Sequence, residues 1–173
     1  KLSGDMRSDL KGVLYVTSGL GGMSGAQPKA TVIAGGVCLI AEVNTKVVQT
    51  RYEQGWVNEV FENMDAAINR ALKAKQEGEA VSVAYNGNIV DLWERLAELD
   101  VKVELGSDQT SLHNPYSGGY YPAGISFDRA NIMMTEESEI FRKEVRKSLI
   151  RQVNAINKLA EKGMYFWDYG NAF

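Results

Sequence analysis

Gly19-Leu20-Gly21-Gly22-Met23-Ser24-Gly25-Ala26-Gln27 gathers glycines where a polypeptide would place them to receive an anion. When such a string leaves a strand and opens a helix, one glycine permits a tight turn. Another lets backbone N–H groups approach a diphosphate, and a third lets the helix pack closely on the strand. The helix N-terminus adds aligned N–H groups and the positive end of its dipole. The match to G-x-G-x-x-G is incomplete: Gly19-x-Gly21 supplies the first half, but Ser24 fills the third slot and Gly25 follows one place later. A turn that serves packing alone is the competing reading. Glu42, 17 residues past Gly25, adds a second group. An acid at the end of the second strand can bond the ribose hydroxyls of an adenosine, and its charge repels a 2′-phosphate, which favours NAD over NADP. A solvated strand-end carboxylate would look the same.

Three further segments carry polar or aromatic groups. Asn86-Gly87-Asn88 closes the third expected strand, where it lines the ligand edge of a parallel sheet or simply caps the next helix. Ser107-Asp108-Gln109-Thr110-Ser111-Leu112-His113-Asn114-Pro115 packs donors and acceptors tightly and runs into Tyr116-Ser117-Gly118-Gly119-Tyr120-Tyr121-Pro122, a composition suited to wrapping a nucleotide. His113, the one histidine, has no identifiable partner for general-base work and reads equally as a structural side chain. Cys38 sits between Val37 and Leu39 in an apolar run, which marks it as packing, since a nucleophile needs an exposed thiolate.

The elements that must hold these groups alternate. Strands are expected at Val13–Thr17, Gly36–Val43, Val81–Tyr85, Val101–Leu105 and Met164–Trp167. Helices are expected from about Ser24 to Ala34, within Asn44–Gln54, at Met64–Gln76 behind an Asn63 or Asp65 cap, and at Ile89–Leu99. The longest runs from Glu136 to about Glu161, with Thr135 and Ser138 as cap chemistry and Gly163 as its stop. Residues Gly106 to about Asn131 show no periodicity, and a long irregular stretch inside a compact domain is usually functional. Apolar strands alternating with helices give an α/β domain: a mainly parallel sheet with helices on both faces.

Composition narrows the rest. The 173 residues make one domain, with 45% hydrophobic and 24% charged residues. A net charge of -3 argues against a nucleic-acid surface, and one cysteine with one histidine leaves neither a disulfide framework nor a cysteine- or histidine-rich metal site. No apolar run reaches membrane-span length and no signal peptide opens the chain, so the expected compartment is cytoplasmic. Because the first residue is Lys1, the chain is expected to be a piece of a longer protein.

Taken together, GLGGMSGAQ, SDQTSLHNP with the following GGYYP, and YFWDYGNAF resemble the characteristic strings of the urocanase family, in the same order and at similar spacing from Leu14 to Phe173. The resemblance implies a Rossmann-like NAD-binding domain over 1–173, set between the two halves of an outer catalytic domain. It implies a homodimer acting on urocanate, with no nucleic-acid or membrane partner. Tightly held NAD+ would serve there as an electrophile that forms a transient adduct with the substrate imidazole while water adds, giving imidazolonepropionate. The family's cofactor contacts fall on Gly22, Met23 and Ser24, on Glu42 and Asn88, on Gln109, Thr110, Ser111 and His113, and on Tyr120, Tyr121 and Tyr169. Family members often have glycine at the position of Ser24, and an arginine where Val47 falls here beside Lys46, which leaves that contact open. The family's catalytic cysteine belongs to the C-terminal part, and Cys38 does not match it. No catalytic residue is therefore expected within these residues, and the domain alone is expected to be inactive. An NAD-dependent dehydrogenase domain and a non-catalytic nucleotide-binding module are the alternatives.

Overall fold

Strands that are apolar at every position cannot leave either face in water, so they must lie inside a layered sheet. The computed structural model describes residues 9–108 and 114–168 and has that arrangement. In chain order it contains β1 Leu14–Ser18, α1 Ala26–Ile33, β2 Val37–Glu42, α2 Thr45–Glu53, β3 Glu59–Phe61, α3 Met64–Glu77, β4 Val81–Asn86, α4 Ile89–Glu98, β5 Leu105–Ser107, α5 Phe127–Glu136, α6 Ser138–Glu161 and β6 Tyr165–Trp167. The strands form one sheet in the order β3-β4-β2-β1-β5-β6, and every neighbouring pair is parallel. From β1 the chain steps outward to β2, then returns past β1 to β5 on the other side. That reversal puts the switch point of the sheet at the carboxyl ends of β1 and β5, and ligands of open α/β sheets usually bind at the carboxyl edge near such a point.

Alternate residues of each strand feed two cores. Leu14, Val16, Leu39 and Val83 share one with Ala67, Ile68 and Ala71 of α3, with Val90, Trp93 and Leu96 of α4, and with Phe141 and Val145 of α6. The alanines keep α3 close to the sheet. Tyr15, Cys38, Ile40 and Ala84 face the other side, where Val48 of α2 and Val57 cover them. Asparagines start three helices: Asn44, Asn63 and Asn88 accept the N–H groups of Lys46, Ala66 and Val90 at 3.1, 2.9 and 2.9 Å. Each such cap is worth about 1 kcal/mol.

Five expectations need correction. The strand placed at Val101–Leu105 forms at Leu105–Ser107. Val101 and Val103 are buried, so their alternation signalled burial and not pairing. Glu104 instead accepts the Leu14 N–H at 3.0 Å and a Lys75 ammonium bond at 2.8 Å, fixing the start of β1. Strand β3 was absent from the pattern because three residues carry no periodicity. Its register on β4 comes from Asn58 and Ser82, which exchange backbone and side-chain bonds across the pair. The irregular stretch ends early, because α5 starts at Phe127 behind Ser126, whose hydroxyl accepts the Arg129 N–H at 3.3 Å. Finally, Thr135 and Ser138 do not cap the long helix: Thr135 donates back to the Ile132 carbonyl, and α6 begins after Glu137 with no side-chain cap. The helix expected from Ser24 starts at Ala26, with a turn before it.

Cys38 is fully buried on β2, and burial pushes its thiol up to about 12. An aromatic disulfide reagent at neutral pH should leave the native thiol unlabelled and titrate one thiol after unfolding in guanidinium. Rapid labelling of the folded chain would contradict its position. Among the described residues no group of three or more Cys, His, Asp or Glu could hold a metal ion, and no helix is long and apolar enough to cross a membrane.

Candidate functional site

A cleft of about 270 Å³ opens at the carboxyl edge of the sheet. Ser18, Gly19 and Gly21 form the wall that continues β1, and Glu42, Asn44 and Val47 form the wall that continues β2. Gly87 and Asn88 follow β4, and Tyr120, Tyr121 and Phe127 close the opposite side.

The first wall turns at Gly19, whose φ of +85° is a left-handed conformation that side chains resist. Its N–H donates to the Ala41 carbonyl at 2.9 Å, which ties the turn to β2. Beyond it, the first two carbonyls are held from α2. The Leu20 carbonyl accepts from Arg51 Nε at 2.9 Å, and the Gly21 carbonyl accepts from Arg51 Nη2 at 2.8 Å and from the Gly25 N–H at 3.0 Å. The N–H groups behave oppositely: those of Gly21, Gly22, Met23 and Ser24 donate to no acceptor among the described residues. A Cβ built on Gly21 or Gly22 would meet nothing within 4 Å, so the space beside these two residues is open. Ser24 is fully buried, yet its Oγ has no hydrogen-bond partner among the described residues. Met23, by contrast, is 72% exposed at the rim. Such a set of donors without acceptors suits an anion.

On the second wall Glu42 is pinned by two backbone donors. One carboxylate oxygen accepts the Leu20 N–H at 2.8 Å and the other the Asn44 N–H at 2.9 Å. A carboxylate has about four lone-pair directions, so two bonds leave capacity for hydroxyl groups in the cleft. Asn88 both caps α4 and donates its amide to the Tyr121 carbonyl at 2.7 Å. Both readings of that residue, cap and cleft wall, therefore hold together. Tyr121 stacks on Phe127 with ring centroids 4.9 Å apart and donates its hydroxyl to Asn131 at 3.0 Å. Burial, with the Glu42 carboxylate nearby, raises its phenol above the ordinary range.

Behind the cleft lies a buried polar chain. Ser18 Oγ donates to Asp108 Oδ1 at 2.8 Å, the Gln152 amide donates to the other Asp108 oxygen, and Tyr120 donates its hydroxyl to Gln152 Oε1 at 2.9 Å. All four side chains are almost wholly inaccessible, and burial drives the Tyr120 phenol strongly upward. Tyr120 thus offers the cleft a wall and not a free hydroxyl.

Of the residues expected at the site, Glu42, Asn88, Tyr120 and Tyr121 line one cleft, while Gly22, Met23 and Ser24 belong to the loop that borders it. Gln109, Thr110, Ser111, His113 and Tyr169 lie outside the described residues. Three groups escaped sequence reasoning. Ser18 and Gln152 carried no signal, since only the fold brings α6 behind β1. Arg51 stands one helical turn past the position left open at Val47, and it is Arg51 that reaches the glycine loop, while Val47 lines the cleft and Lys46 is exposed.

Residues 3–173 match the sequence profile described as the urocanase Rossmann-like domain. A probable urocanate hydratase of Caenorhabditis elegans is 54% identical over 95% of this chain and 25% of its own length. The urocanate hydratase of Homo sapiens is 52% identical over 95% of the chain and 25% of its own length. A probable urocanate hydratase of Halobacterium salinarum is 35% identical over 94% and 27% respectively. The chain thus spans about a quarter of the length of these relatives.

Proposed function

This chain belongs to the urocanase family as its Rossmann-like domain, and from that premise we propose that it binds NAD+ in the cleft at the carboxyl edge of the sheet. The longer protein would be a urocanate hydratase, acting as a homodimer in the cytoplasm. One observation carries the reading: four consecutive N–H groups, Gly21 to Ser24, stand without acceptors beside a carboxylate held in place at Glu42.

The residues present fit the group. The open space over Gly21 and Gly22 and the unpartnered Ser24 hydroxyl suit a diphosphate, which has many acceptors and no donors. Glu42 would accept the adenosine ribose hydroxyls, with Asn88, Tyr120 and Tyr121 shaping the remainder. Met23, Gln109, Thr110, Ser111, His113 and Tyr169 complete the set of proposed contacts. Bound NAD+ supplies a cationic pyridinium ring, an electron sink that no side chain provides. The chain's own task is to orient that cofactor and keep water from its phosphates. Groups that bind and protonate urocanate, the catalytic cysteine among them, are assigned to the flanking parts of the longer protein, so the domain by itself is expected to be inactive.

Calorimetric titration tests the binding step. NAD+ should bind, and NADP+ should bind at least about tenfold more weakly, because its 2′-phosphate would meet the Glu42 carboxylate, which its two backbone donors keep from turning aside. Equal affinity for the two would remove Glu42 from the ribose. In the longer protein, urocanate should lose its ultraviolet absorbance with no NADH formed. NADH appearing on an alcohol or hydroxy acid, with urocanate untouched, would make this a dehydrogenase domain instead.

A further inference from the structure

Arg51, on α2, points its guanidinium at the glycine loop and not at any carboxylate among the described residues. We propose that Arg51 is a positioning residue for diphosphate binding: it takes the carbonyls of Leu20 and Gly21 so that the following N–H groups turn to the ligand, and it leaves its charge uncancelled beside them. The proposal rests on the nucleotide reading given above and goes beyond it to a residue that would not itself need to touch the ligand.

The geometry follows from the peptide bond. None of the peptide bonds is cis, and in a planar trans peptide the carbonyl of one residue and the N–H of the next point in opposite directions. Fixing the Leu20 carbonyl on Arg51 Nε therefore aims the Gly21 N–H away from α2, and fixing the Gly21 carbonyl on Nη2 does the same for the Gly22 N–H. Left unheld, the Leu20–Gly21 peptide could flip and present a carbonyl, which would repel a phosphate, whereas the Gly21 carbonyl would keep the Gly25 N–H alone. Arg51 is itself held: Nη1 donates to Gln54 Oε1 at 2.8 Å, and the guanidinium lies over the Trp56 ring, 4.9 Å from its centroid. Gly25 makes room for the grip, since a Cβ there would lie 2.8 Å from Arg51 Nε. A lysine keeps the charge but cannot span two carbonyls from one rigid fork.

The test compares wild type, Arg51→Lys and Arg51→Met in the full natural chain, titrated with ADP-ribose and with adenosine at low and high salt, each with its thermal midpoint. Arg51→Met should bind ADP-ribose about thirtyfold more weakly or worse and lose most of the salt dependence, with adenosine affinity within about twofold of wild type. Arg51→Lys should restore the salt dependence and only part of the affinity. ADP-ribose affinity within about threefold of wild type in Arg51→Met, or an equal loss for adenosine and ADP-ribose, would overturn the assignment, the second because it marks a loop that has merely lost its shape. A wild-type protein silent towards ADP-ribose would overturn the nucleotide reading itself. Binding by wild type with Arg51→Met unimpaired would overturn only the role of Arg51.

Discussion

Glu42→Leu should cost the protein about 2–4 kcal/mol and abolish measurable NAD+ binding, because two backbone donors lose their acceptor at once. The Leu20 and Asn44 N–H groups both end on this carboxylate, and Leu20 is fully buried, so water cannot readily replace the bond. Urea unfolding followed by circular dichroism reads the first effect, and calorimetry with NAD+ reads the second. Glu42→Gln separates the two. Its amide oxygen can still accept one N–H, but its NH2 group then confronts the other. About half of the stability loss should therefore remain, and the binding loss should persist. A stability change under about 0.5 kcal/mol in Glu42→Leu would show that the two N–H bonds are idle in solution.

The second large effect runs against the backbone dihedrals. Gly25, at the N-cap of α1, has helical dihedrals, φ -58° and ψ -19°, which alanine adopts without backbone strain. Gly25→Ala should nevertheless destabilise by about 1–3 kcal/mol, because the new methyl cannot be accommodated without moving backbone. It would stand 2.5 Å from the Gly21 carbonyl oxygen and 3.0 Å from that of Leu20, which are the oxygens Arg51 holds. NAD+ affinity should fall at least about tenfold with it, as the loop's N–H groups lose their aim. Gly22→Ala is the contrast. Open space surrounds that position, so stability should barely change while affinity falls, the methyl now competing with the ligand. Both variants go through the same unfolding and titration measurements. If Gly25→Ala is neutral or stabilising, the contact between loop and α2 is looser than described.

What the sequence discloses and withholds follows from how each feature is encoded. The strands at Val37–Glu42 and Val81–Asn86 were legible because uninterrupted apolar runs have one main use, and the helix at Met64–Glu77 because its apolar spacing and Asn63 cap agree. Pairing is less visible. Val101 and Val103 are buried without joining the ladder, and Glu59–Phe61 joins it with only three residues. The helix at Phe127–Glu136 is equally hidden, since it begins inside the stretch without periodicity, where only the Ser126 cap marks its start. At the site, the glycine loop and Glu42 could be named because their chemistry is local to a turn and a strand end. Arg51 and Gln152 could not. Each acts across more than thirty residues of chain, on Leu20 31 residues away and on Asp108 44 away, and only the crossovers of the sheet bring them there.

The amide of Gln152 fastens the β1 shore of the cleft, through Asp108 and Ser18, to the far shore, through Tyr120. Bonds strung in series inside a low-dielectric interior reinforce one another and give way jointly. The width of the aperture is therefore tied to the seating of the long helix behind it.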